Sequence, residues 1–215
     1  MDEREECSVE NIDTPITGEE ENPRSAATAE RQKTFLSYLH DMVFALTGIL
    51  LVFMLLFRLV VVSGPSMRQT LEDGDNLILM SNVFYNNPKY GDIVVACKDD
   101  YKDGEPIIKR VIATEGQTVD IDFDAGIVFV DGKALDEPYT NTPTNLPEGT
   151  KFPLTVEKGH LFVMGDNRND SKDSRDPQIG LIDKREILGR AIFLILPGEN
   201  PETKQRDFSR IGVIG

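Results

Sequence analysis

The stretch Pro106-Ile107-Ile108-Lys109-Arg110-Val111-Ile112-Ala113 decides the class of fold. Read as a strand, with side chains alternating between faces, it puts Lys109 on the same face as Ile107, Val111 and Ala113. Short apolar or alternating runs flank it at 76–80, 93–97, 118–123, 127–130, 161–164 and 190–196. Turn signals divide them: Asp73-Gly74-Asp75, Asn86-Asn87-Pro88, Asp103-Gly104 and Asp131-Gly132. Asp131-Gly132, between 127–130 and 133–135, predicts a hairpin. Many short strands at this spacing predict a mostly β, antiparallel domain and not a βαβ succession. Residues 136–153, with Pro138, Pro143, Pro147 and Pro153, read as a surface excursion.

Upstream the pattern changes. Residues 42–57 carry no charge, and the apolar character extends over 35–62. A bilayer core of ~30 Å needs ~20 mainly apolar residues, which this run supplies if Arg58 snorkels to an interface. A cleavable leader does not fit the long acidic stretch before it or the missing small-residue cleavage site. A buried core helix would show a polar stripe, and 42–57 has none. The segment 35–62 is therefore predicted to be a single transmembrane helix in the lipid bilayer of the cell membrane. Arg24, Arg31 and Lys33 before it, against Arg58 and Arg68 after it, tilt the bias toward a cytoplasmic N-terminus, leaving 63–215 extracytoplasmic.

Residues 1–34 hold ten acidic side chains and almost no large apolar ones, so an acidic, disordered tail is predicted there. The whole chain has 215 residues and a net charge of −14, which excludes a nucleic-acid partner that would need a basic face. Cys7 and Cys97 are too few for a disulfide framework and lack metal-site spacing, and Cys97 reads as a small buried residue.

Three places carry more polar chemistry than a β fold requires. Ser63-Gly64-Pro65-Ser66-Met67 holds Ser66 in a tight turn, although a serine in such a turn is by itself commonplace. Lys109 lies within an apolar run; a lysine there either snorkels out at a strand edge or is buried. Burial disfavours the ammonium and makes a neutral amine available as a general base. The segment 165–176 (GDNRNDSKDSRD) crowds hydrogen-bonding groups onto one loop after the strand at 161–164. It lacks the glycine and distal glutamate of a calcium loop. Asp120, Asp122 and Asp124 read as one exposed strand face, not a metal site. No metal and no cofactor is called for.

Taken in order, Ser63–Leu71 (SGPSMRQTL), 91–95 (GDIVV), 109–119 (KRVIATEGQTV) and 162–175 (FVMGDNRNDSKDSR), behind an apolar helix, resemble the bacterial type I signal peptidases over roughly 35–196. The resemblance implies an antiparallel β-sheet catalytic domain with a small insertion at about 117–158. It implies removal of N-terminal signal peptides from exported preproteins, with cleavage after small residues. Ser66 matches the nucleophile and Lys109 the general base, a Ser/Lys variant of triad logic. Ser171 matches a serine that orients the lysine, and Asp166, Arg110, Asp173 and Arg175 match charged positions that brace the site. The Ser66 backbone N–H is the expected oxyanion donor, with Gly64 standing where some members have a serine hydroxyl. Gln69 replaces the usual proline of the SMxPTL motif, which is expected to loosen the turn.

Three alternatives stand beside this. A self-cleaving repressor-type protease shares the Gly-x-Ser-Met and lysine pattern but has a DNA-binding domain where this chain has a tail and a membrane span. A Ser/His protease would use His160, at a position where packing aromatics are usual in the family. A catalytically inactive, membrane-tethered binding module would not need Ser66, Lys109 and Ser171 together. Oligomeric state is not legible.

Overall fold

A computed structural model describes residues 23–98, 101, 104–140, 142–200 and 203–214, with side chains from residue 31 onward. The tail at 1–22, and Cys7 with it, lies outside the described residues. The chain divides into two units at Ile49/Leu50.

The first unit belongs to α1, a helix over Pro23–Leu56. It begins earlier than the apolar pattern suggested, so 23–34 is helical where a disordered tail was expected. It also ends earlier: Leu56, not residue 62. From Arg31 to Leu56 the helix is long and apolar enough to cross a membrane, and none of that window is buried within the protein.

Phe57–Val61 is strand β1, which corrects the expected helix over 35–62. It pairs antiparallel with β2 (Asn76–Ser81), Val61 opposite Asn76. Arg58 therefore sits in a ladder opposite Leu79 and has no helix end from which to snorkel. Alternation is visible: Val60 packs on the core while Leu59 and Val61 are exposed. The backbone bonds Val62 N–H to Asp75 O (2.8 Å) and Gly74 N–H to Val62 O (2.9 Å) close the pair, so Ser66 rides on the loop of this long hairpin.

The remaining strands are β3 (Ile93–Cys97), β4 (Pro106–Thr114), β5 (Thr118–Asp122), β6 (Ile127–Val130), β7 (Lys133–Ala134), β8 (Leu154–Thr155), β9 (His160–Met164), β10 (Ile182–Asp183), β11 (Ile187–Leu196) and β12 (Gly212–Val213). Among the described residues, one sheet runs β1-β2-β11-β3-β4-β9-β10 with β12 on β11, and a second runs β7-β6-β5-β8. All pairings are antiparallel. The second sheet occupies the interval 117–158. Its β6–β7 turn places Asp131 at φ 52° and Gly132 at φ 74°, the left-handed pair that a two-residue type I′ hairpin requires. Asp120, Asp122 and Asp124 are exposed, and Cys97 is only half-buried, less than expected.

Among the described residues, three clusters form the core. The first joins Met67 and Leu71 from the Ser66 loop to Leu77 and Leu79 of β2, Ile93 and Val95 of β3, and Ile108 of β4. The second holds Val94, Val111 and Ile107, so Lys109 shares a strand face with apolar neighbours as expected through Val111. A register shift between Val111 and Ala113 then interrupts the alternation. Ala113 packs with Ile112, Phe162 and the second sheet in the third cluster, not with Val111.

Val60→Ala should lower thermal stability in detergent by about 1–2 kcal/mol, while Leu59→Ala stays within about 0.5 kcal/mol. Equal losses at both positions would mean that Phe57–Val61 continues the helix instead.

Candidate active site

In the first sheet β11 and β3 lie between β2 and β4. Ser66 therefore meets Lys109 only because its loop reaches across the sheet. Buried Met67 and Leu71 hold it there, and Arg68 N–H to Pro65 O (3.0 Å) and Leu71 N–H to Met67 O (2.9 Å) close the turn. Gly64 at φ 92° donates its N–H to Asp73 Oδ1 (2.8 Å). Gln69 sits at φ 82°, a value no proline ring reaches, since proline is locked near −65°. A proline could therefore not take this position without rewinding the turn.

Lys109 is 5% exposed, and its Nζ lies 2.8 Å from Ser66 Oγ and 3.0 Å from Ile108 O. Both residues line a groove of about 1310 Å³ that also takes in Val60, Ile107, Leu146 and Ser171. Of the two sequence readings of the lysine, the structure has the buried one.

The loop that follows β9 closes the site. Asn167 N–H donates to Ser66 O (3.0 Å) and its side-chain amide to Pro65 O (3.1 Å), so the turn is gripped from outside. Asp166, fully buried, takes a two-pronged bond from Arg110 (Nε 2.8 Å, Nη2 2.7 Å) and one from Thr70 Oγ1 (2.6 Å). Arg110 also donates to Gly91 O (2.8 Å) and lies against the Tyr139 ring. Asp173 takes both prongs of Arg175 (2.8 Å each), the Gly165 N–H (3.0 Å) and the Ser171 hydroxyl (3.0 Å). Ser66, Lys109, Ser171, Asp166, Arg110, Asp173 and Arg175 are thus all brought to one neighbourhood. His160 begins β9, its Nδ1 3.1 Å from Lys158 O, and is not among the groove residues.

Three contributors were not singled out from sequence. Asn167 grips the turn. Arg168, buried, forks onto Glu137 (2.7 and 2.6 Å) and donates to Gly165 O (3.1 Å). Burial works against its charge, and the Glu137 bond and charge outweigh that and hold it above the ordinary arginine value. Gly165 has no room for a Cβ, which would collide with Ser171 Oγ and the Ser66 carbonyl oxygen. Only the density of polar residues in 165–176 hinted at these roles.

A serine on a pinned turn with a buried lysine amine against its hydroxyl, in the wall of an open groove, defines a serine-peptidase type of site on an antiparallel β frame. Comparison with known proteins narrows the class. The family model for signal peptidase, peptidase S26, matches residues 35–196. Signal peptidase I T of Bacillus subtilis is 35% identical over 198 residues, which is 86% of this chain and 99% of that protein. Signal peptidase I of Bacillus amyloliquefaciens is 34% identical over 83% of this chain and 95% of its own. Probable signal peptidase I-1 of Synechocystis is 39% identical over 63% and 69%, respectively. A solved signal peptidase I from Enterococcus faecalis V583 matches 49% of this chain and 97% of its own at 28% identity and TM-score 0.40. The chain belongs to the S26 family of signal peptidases, and is a serine endopeptidase of the signal peptidase I type.

Two substitutions test the local geometry. Gly165→Ala should cost about 1–3 kcal/mol in thermal unfolding, because Ser171 or the Ser66 carbonyl must move. Gln69→Pro, which would restore the family motif, should destabilise the chain, while Gln69→Gly is tolerated. A stabilised Gln69→Pro would show that residue 69 is not left-handed.

Proposed function

We propose that Ser66 and Lys109 form the catalytic dyad with which this signal peptidase removes signal peptides from exported preproteins. The observation that carries the reading is the 2.8 Å approach of a buried Lys109 amine to the Ser66 hydroxyl. Taking an ammonium out of water is costly, so burial favours the neutral amine that a general base must be. Lys109 Nζ takes the Ser66 proton as Oγ attacks the scissile carbonyl carbon. The Ser66 backbone N–H donates to the resulting oxyanion, without a side-chain donor at Gly64. Collapse breaks the peptide C–N bond, and Lys109 passes the proton to the leaving amine. Water, deprotonated by the same amine, then hydrolyses the Ser66 ester and frees the enzyme.

Ser171, Asp166, Arg110, Asp173 and Arg175 brace this pair, and the family resemblance supports cleavage after small residues. The apolar part of α1, Arg31–Leu56, is 26 residues long, about 39 Å as a helix, enough for a single membrane pass. The N-terminus is read as cytoplasmic and residues after β1 as the extracytoplasmic protease domain. Ser66 follows Leu56 by ten residues. So short a connection supports a substrate whose own apolar helix is still in the bilayer.

Cleavage of a preprotein in detergent tests the dyad. Ser66→Ala and Lys109→Ala should each lose about 10³-fold or more in kcat/KM with unfolding temperatures near wild type, while His160→Ala keeps most activity. An active Lys109→Ala beside an inactive His160→Ala would overturn the assignment.

A further inference from the structure

We propose that Glu148 is a positioning residue for the reaction, its carboxyl acting through Arg175 and Asp173 on Ser171 beside the dyad; this rests on the reading of Ser66 and Lys109 given above. Glu148 comes from the proline-rich excursion and lines the groove with Leu146, Ser171 and Lys109. Its side chain is 10% exposed, and Oε1 lies 3.3 Å from Arg175 Nη2. Oε2 is shut off from water and has no hydrogen-bond partner among the described residues. Meanwhile Arg175 Nη2 already serves Asp173 Oδ2 (2.8 Å), Arg168 O (2.7 Å) and Ser171 O (3.4 Å). A nitrogen with two hydrogens thus faces four acceptors, and two carboxylates share one guanidinium.

Asp173 has Gly165 N–H, Ser171 Oγ and both prongs of Arg175, so Glu148 is the carboxyl that takes a proton. Burial, and next the Asp173 charge, push Glu148 up to about 7; Arg175 and the Asp173 backbone pull the other way, and Asp176 adds a further upward push. Glu105 just before β4, Lys109 within it, and Asp170 and Lys172 in the loop after β9 carry the other charges along the groove. With Glu148 neutral, Asp173 is the one anion on Arg175 and keeps Ser171 in place. With Glu148 ionised, a second, half-satisfied carboxylate competes for Nη2, and the hold on Ser171 slackens.

Glu148 links the stability of the fold to pH. The folded value lies above the ordinary 4.5, so the fold favours the protonated carboxyl; stability declines as pH rises from about 4.5 and the loss is complete above about 7. Glu148→Gln mimics the neutral form at every pH.

The test compares kcat/KM of Glu148→Gln and wild type on one preprotein in detergent from pH 5.5 to 8.5. The ratio should be near one at the acid end and rise severalfold through a midpoint near 7. In a Ser66→Ala background, the thermal-unfolding gap between Glu148→Gln and its parent should open over pH 4.5–7. As a check independent of any variant, glutamate carboxyls labelled with ¹³C in the wild-type chain should include one that titrates near 7. A flat ratio, a pH-independent gap, or no carboxyl titrating between 6 and 8 each overturns the proposal. An active Ser66→Ala would sink the dyad yet leave the unfolding gap and the carboxyl titration in place, so the two failures are distinguishable.

Discussion

The fork between Arg110 and Asp166 is the constraint on which the site depends. Arg110 is the neighbour of Lys109 on β4, and Asp166 is the second residue of the loop after β9. Asp166 also holds Thr70, four residues beyond Ser66. One carboxylate therefore ties the lysine strand, the serine turn and the closing loop together. Both partners are buried, and losing one partner of such a pair typically costs about 3–5 kcal/mol because the other charge is left without compensation. The pair need not add net stability to be indispensable to geometry.

The same logic extends through the loop. Arg168 and Arg175 are buried with their charges matched by Glu137 and Asp173. Apolar side chains of equal volume would fill that space at lower desolvation cost. They would not, however, grip the carbonyls of Gly165 and Arg168, as these guanidiniums do. Dispersion has no direction; hydrogen bonds do. A peptidase that must hold a hydroxyl and an amine at bonding distance uses directional groups for the frame and apolar clusters for the bulk.

What was legible in the sequence was mostly local. The runs at 93–97 and 127–130 are strands with those bounds, and Asp131-Gly132 turns its hairpin because both residues adopt positive φ. The end of the helix was not legible, because Phe57–Val61 continues the apolar run and period alone cannot separate five such residues from the helix before them. Pairing with β2, a long-range event, decides it. The dyad was visible as motif spacing, but burial of Lys109 depends on a strand in the sheet interior and a loop reaching over it. The role of Arg168 is hidden in the sequence because its partner Glu137 is thirty-one positions away in a segment that reads as surface. Gly165 matters only for the space between Ser171 and Ser66, which no single-residue property encodes.

Gln69 shows where the rigidity of the Ser66 turn originates. A proline at this position, which the family resemblance leads one to expect, would stiffen the turn from within. Here the residue is left-handed at φ 82°, a conformation that costs a non-glycine side chain some strain and offers no such stiffening. The turn is instead fixed by what surrounds it: Met67 and Leu71 sunk in the first core cluster, Asn167 on two of its carbonyls, and Thr70 on Asp166. The position of Ser66 is therefore a tertiary property of this chain, set by β4 and the loop after β9. That is why a turn serine and a strand lysine, each ordinary alone, stand 2.8 Å apart.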